Sequence, residues 1–115
     1  MSDLDSTLSA LADRTRRGIV ELLREQPRRA GDLARQLDTS PAGLSRHLRV
    51  LRKSGLVEEE ILEEDARVRI YRLRREPFDG LRSWVEQVES FWEGQLASFK
   101  AHAERTRAAS RRRKE

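Results

Sequence analysis

Apolar residues recur along the first half of the chain in short sets at helical spacing. Leu4, Leu8 and Leu11 form one set and Ile19, Leu22 and Leu23 a second. Leu33, Ala34 and Leu37 form a third, and Leu44, Leu48 and Leu51 a fourth. Steps of three and four residues place each set on one helical face. The punctuation agrees with the pattern. Asp13 can cap a helix over residues 14–26, which Pro27 stops. Thr39 or Ser40 can cap a helix that opens on Pro41 and closes at Gly55. Beyond Gly55 the period shortens to that of extended chain. Residues 56–62 and 68–73 read as two strands joined by the polar run Glu63-Glu64-Asp65-Ala66. Ile61-Leu62 and Ile70-Tyr71 break strict alternation, which leaves the inward face of this hairpin open. Pro77 opens a long helix to about residue 104, with Leu81, Trp84, Val85, Val88, Phe91, Trp92, Leu96 and Phe99 apolar. The expected fold is mainly α with a small β-hairpin (α+β), in the order ααααββα.

The fourth helix carries the most informative polar face. Ala42, Ser45, Arg46, Arg49, Arg52 and Lys53 lie opposite its leucines, with no acid among them. A helix in a DNA major groove needs such a face. Small residues allow close approach, while hydroxyls and arginines meet base edges and phosphates. An ordinary solvated amphipathic helix looks much the same, so the neighbours decide. The third and fourth helices, joined by the tight turn Asp38-Thr39-Ser40-Pro41, make a helix-turn-helix unit, and the small Ala34 suits their crossing. The hairpin that follows reads as a wing. Arg14, Arg16 and Arg17 stand at the start of the second helix, against its dipole. That placement hints at a role outside the helix, such as phosphate contact, with solvated surface as the plainer reading.

Composition adds constraints. The chain has 115 residues, enough for one domain with a modest core. Apolar residues make up 37% and charged residues 38%, a lean ratio that suggests burial between chains. The aromatic stripe of the last helix points the same way, because one small domain cannot cover it. Self-association across a two-fold axis, with the first helix beside the last, is the simplest solution. Its expected interface is Leu4, Leu8, Leu11, Leu81, Trp84, Val85, Val88, Phe91, Trp92, Leu96 and Phe99. The rival is a ligand pocket or partner groove lined by Trp84, Phe91 and Trp92. The net charge of +4 is misleading as a total. Residues 105–115 carry six basic side chains against Glu115, which leaves residues 1–104 at −1. The expected organisation is one domain over residues 1–104, with residues 77–104 as its dimerisation helix, and a basic disordered tail over 105–115.

There is no cysteine, which excludes disulfides, thiolate metal sites and a cysteine nucleophile. No apolar run approaches the roughly 18–20 residues of a membrane span, and the first residues lack a secretory signal. A cytoplasmic protein with no membrane partner is expected. His47 and His102 fall on different elements, so no serine–histidine–carboxylate set can be assembled, and no enzyme is expected.

Three runs then carry a family resemblance: residues 11–23, Asp32-Leu33-Ala34, and the stretch from Leu44-Ser45-Arg46-His47-Leu48 to Gly55-Leu56-Val57. Together with Arg69-Ile70-Tyr71-Arg72-Leu73, they resemble the ArsR/SmtB-type winged helix-turn-helix repressors over roughly residues 8–100. The resemblance implies a homodimer on a palindromic operator in double-stranded DNA that blocks transcription until a signal releases it. By position it makes Thr39, Ser40, Pro41, Ala42, Ser45, Arg46 and His47 groove-facing, with Arg49 and Arg52 further along the same helix. It gives Arg67 and Arg69 the wing's contact to minor groove or phosphate. His47, close to the leucine face, can equally pack or bond a phosphate.

Two departures matter. The stretch Arg29-Ala30-Gly31-Asp32-Leu33-Ala34 holds no thiol where many family members bind metal. The last helix has His102 as its one histidine, with Glu104 two residues away, too few ligands for a tetrahedral site. The chain therefore resembles the metal-independent branch, with no metal, no cofactor and a small-molecule effector of unknown identity. The wing tip, Glu63-Glu64-Asp65, is acidic where a groove-inserting tip is usually basic. The wing is thus expected to sit back and leave Arg67 to reach the duplex. The alternative function is a protein–protein module whose acidic wing binds a basic partner.

Overall fold

The computed structural model describes residues 3–114, apart from the side chains of residues 66 and 111–114. The elements in chain order are α1 (Asp3–Leu11), α2 (Arg14–Glu25), β1 (Arg28–Arg29), α3 (Ala30–Gln36), α4 (Pro41–Lys53), β2 (Val57–Leu62), β3 (Asp65–Leu73) and α5 (Glu76–Lys114). The chain divides into two compact units, Met1–Leu81 and Arg82–Glu115, so the division falls within α5 and well before residue 104.

In the first unit the helix ends are set by local chemistry. Asp13 caps α2 by accepting from the Arg16 amide at 3.0 Å, and Ser40 caps α4 by accepting from the Gly43 amide at 3.1 Å. Gly55, at φ 79°, closes α4, with the Leu56 amide reaching back to the Leu51 carbonyl at 3.0 Å. Asp38 does the same for α3 at φ 49°, where the Thr39 amide meets the Ala34 carbonyl at 3.0 Å.

These ends aim the apolar faces at one core. Ile19 and Leu23 of α2, Leu33 and Ala34 of α3, and Leu44, Leu48 and Leu51 of α4 are buried together with Leu56, Val57 and Tyr71. Burying each large side chain contributes roughly 1.5–3 kcal/mol, so this cluster holds the helix-turn-helix and the sheet as one body. From α1, Thr7 and Ala10 are the buried residues, Leu11 packs partly against the core, and Leu8 stays exposed.

The sheet departs from the expected hairpin. It has three antiparallel strands in the order β1-β3-β2, with Arg28 opposite Tyr71 and Arg29 opposite Ile70. Two residues are too few to show a strand period, and the fixed φ of Pro27 sends the chain out extended. The β2–β3 register runs from Val57 opposite Leu73, through Glu59 opposite Tyr71, to Leu62 opposite Asp65, with an irregularity between Ile61 and Leu62. The connecting loop is therefore shorter than expected, Glu63 and Glu64 only. One face of the hairpin passes from buried Val57 through Glu59 and Tyr71 to exposed Ile61 and Arg69. That gradient from core to solvent along one face explains the broken alternation.

In the second unit α5 stays helical to Lys114. Helix thus extends through residues 105–114, the segment expected to be a disordered tail. From residue 95 onward the sequence has no glycine or proline and is rich in alanine, arginine, glutamate and lysine, all good helix formers. A low apolar content predicts little burial, but it does not forbid helix. Phe91, Trp92, Leu96 and Phe99 are exposed, and the Phe91 and Trp92 rings meet edge to face at 5.7 Å.

Candidate nucleic-acid interface

The turn and the first two turns of α4 present the expected polar face. Ser40, Pro41, Ala42, Ser45, Arg46 and Arg49 are exposed, and Thr39 is half-buried. Leu44, Leu48 and Leu51 anchor the opposite side in the core. Among the described residues no acid pairs with Arg46 or Arg49. These two guanidiniums keep all their donors for an outside partner.

Arg16, Arg17, Arg52 and Arg69 are already engaged, and they sort into two nodes. The first node centres on Arg16. Its Nε donates to the Ala10 carbonyl at 2.7 Å and its Nη2 to the Ser9 carbonyl at 3.3 Å. Its Nη1 lies 3.4 Å from His47 Nδ1, which accepts that bond when the imidazole carries its proton on Nε2. Asp13 Oδ1 lies 3.9 Å from the same ring nitrogen. Arg17 donates to the carbonyls of Leu11 and Ala12 at 2.9 and 3.1 Å. For Arg16 and Arg17 the hint of a phosphate contact gives way to carbonyls at and just beyond the end of α1, while Arg14 stays exposed. His47, half-buried, is held from behind by that node. The Arg16 amide, ahead of the nearby charges of His47 and Arg16, keeps the Asp13 carboxyl below the usual carboxylate range.

The second node centres on Glu59, whose side chain is only 9% exposed. Arg52 of α4 ion-pairs with Glu59 Oε2 at 3.0 Å, the Tyr71 hydroxyl donates to Oε2 at 2.9 Å, and Arg69 of β3 donates to Oε1 at 3.0 Å. Burial, and then the bond to Glu59, raises the Tyr71 phenol above its ordinary range. Arg52 and Arg69 remain about half exposed, at 48% and 53%. Sequence reasoning placed both arginines on the interface but gave Glu59 no role.

On the wing's strands, Glu58, Glu60 and Asp65 pair with Arg72 and Arg67. Arg72 meets both Glu58 and Glu60, and Arg67 closes on Asp65 at 3.2 Å while staying 91% exposed. The Arg67 amide and side chain keep the Asp65 carboxyl low. Behind the helix-turn-helix, Arg28 was also missed. It is 9% exposed and ties the Leu22 carbonyl at 3.1 Å, Glu25 at 2.7 Å and Asp32 at 3.0 Å into one joint between α2 and α3. That bond to Arg28 is the main reason the Asp32 carboxyl is lowered.

Comparison with known proteins agrees with this arrangement. A helix-turn-helix domain family matches residues 11–60. Over 95 residues the chain is 37% identical to the HTH-type transcriptional regulator Rv2034 of Mycobacterium tuberculosis, covering 83% of each. An ArsR-like transcriptional regulator from Rhodococcus sp. RHA1 superposes with a TM-score of 0.75 at 29% identity, over 89% of this chain and 91% of that one. The homodimeric winged helix-turn-helix DNA-binding domain Mb0332 of Mycobacterium bovis, a possible ArsR-family regulator, matches with a TM-score of 0.61 at 25% identity. The match covers 76% of this chain and 79% of that one.

Proposed function

Because the chain belongs to the ArsR family of winged helix-turn-helix transcriptional regulators, we propose that it is a repressor that binds a palindromic DNA operator as a homodimer. The observation that carries this reading is the exposed, acid-free face of α4, with Arg46 and Arg49 unengaged and Ser45 between the leucine anchors and solvent. Thr39, Ser40, Pro41 and Ala42 lead that face into the major groove, and Arg52, Arg67 and Arg69 meet the backbone at its far end. His47 acts from behind, through Arg16. Two-fold pairing through α1 and α5 sets two such faces one helical turn apart, about 34–36 Å. A homodimeric relative supports the pairing. The absence of any cysteine, and the single histidine on α5, support a regulator that does not answer to metal.

The acidic-wing alternative keeps only the loop acids Glu63 and Glu64 as exposed charge with no ion pair among the described residues. Glu58 and Glu60 pair with Arg72, Glu59 is consumed internally, and Asp65 holds Arg67.

The test is selection of bound duplexes from random DNA, followed by titration of the winner across salt concentrations. Affinity is expected to fall steeply with salt. Arg46→Ala is expected to cost about 1–3 kcal/mol and to relax preference at one base position. Uniform weakening on every sequence makes Arg46 a phosphate contact, and no retention on any duplex at low salt rejects the DNA reading.

A further inference from the structure

Glu59 is an acid in the wrong place for a DNA-binding surface. It sits between the end of α4 and the wing, the two parts of the unit that would flank a phosphate. An acid there repels the duplex unless it does something else. Its two oxygens are divided among three donors on two elements: Arg52 from α4, and Arg69 and Tyr71 from β3. Arg52 and Glu59 line a cleft of about 470 Å³ with Arg49 and Lys53, and Arg69 and Tyr71 line another of about 480 Å³ with Arg29 and Arg35.

We infer that Glu59 is a positioning residue for duplex binding, holding the guanidiniums of Arg52 and Arg69 as one clamp for a DNA phosphate across the junction of recognition helix and wing. The inference rests on the DNA-binding reading above. Each guanidinium has five N–H donors, and one edge spent on the carboxylate leaves the other edge to solvent. Two arginines on one carboxylate keep a net positive charge at the junction. Their side-chain freedom is lost before the duplex arrives, so less ordering cost remains at binding. Tyr71 completes the arrangement from the core side, where its ring is buried and only its hydroxyl is used.

The sign of one substitution separates this role from simple electrostatics. Glu59→Gln removes a negative charge, and charge alone then predicts tighter binding at low salt. Positioning predicts the opposite. With the full chain and its selected duplex, Glu59→Gln is expected to weaken binding on the order of tenfold at 0.1 M salt, and to shrink the salt slope by about one. Equal or tighter binding with an unchanged slope overturns the clamp. Tyr71 is the chain's single tyrosine, so phenolate absorbance reports the site directly. Glu59→Gln is expected to lower its titration part of the way toward the ordinary range, leaving the share due to burial. An unmoved phenol means the carboxylate does not hold β3 and overturns the clamp as well. Should Glu59→Gln fail to fold, Arg52→Gln and Arg69→Gln read the clamp from its exposed side. Each is expected to flatten the slope by about one, and the pair by less than their sum, since both serve one phosphate. Unchanged slopes, or fully additive losses, overturn it. A wild-type chain that binds no duplex rejects the DNA reading itself, a result distinct from normal binding by the variant.

Discussion

An arginine that spends Nε and both Nη groups inside the protein, as Arg16 does, has few donors left for a phosphate, whereas Arg17 spends only Nη1. Arg16 and Arg17 lie beside the last carbonyls of α1, where a cation also complements the helix dipole. Asp13 is the residue on which this corner turns, since it caps α2 and faces both Arg16 and His47. Asp13→Ala is expected to lower the urea midpoint, the usual consequence of losing a cap. Asp13, Asp32 and Asp65 are all held below the ordinary carboxylate range. The unfolded chain therefore binds protons that the folded chain refuses, and stability falls as pH drops. The contribution of these groups is complete above about pH 5 and fades as pH falls through their folded values. The urea midpoint is expected to hold from pH 8 to 5 and to fall below about pH 4, with a shallower fall for Asp13→Ala.

The elements show which signals are local and which are not. Asp13, Ser40, Pro41 and Gly55 act on amides and carbonyls within a few residues, so the helix ends could be read directly from their order. Gly55→Ala tests one of them. A side chain at φ 79° is strained by about 1–2 kcal/mol, and thermal or urea unfolding is expected to register that loss. β1 had no such signal, because its two residues become a strand only by pairing with Tyr71 and Ile70 more than forty residues later. Glu59 was illegible for the same reason. In sequence it is one glutamate among several, and only the β2–β3 register and the packing of α4 deliver Arg52, Arg69 and Tyr71 to it. The face of α4 was legible because helical period alone assembles it. Beyond residue 104 the helix continues to Lys114, where high helix propensity accompanies the dense charge.

At the scale of the whole molecule, the exposed apolar side chains of α5 set the expected oligomeric state. Phe91, Trp92, Leu96 and Phe99 are each at least 60% exposed in the single chain. Pairing through them is expected to make the wild type sediment as a dimer. Leu96→Glu with Phe99→Glu removes two large apolar groups per chain, each worth roughly 1.5–3 kcal/mol when buried, and so raises the dimer dissociation constant by at least about a hundredfold. Sedimentation equilibrium checks this, and duplex affinity is expected to fall in parallel.

The sheet bears on the same question from another side. Both of its margins are poor templates for a further strand: β1 offers two residues carrying arginine, and β2 exposes Glu58 and Glu60, which would face its own copy with like charge. Edge-to-edge polymerisation is thereby discouraged even when copies are crowded along a filament of DNA, and helical contact is left as the favoured mode of assembly.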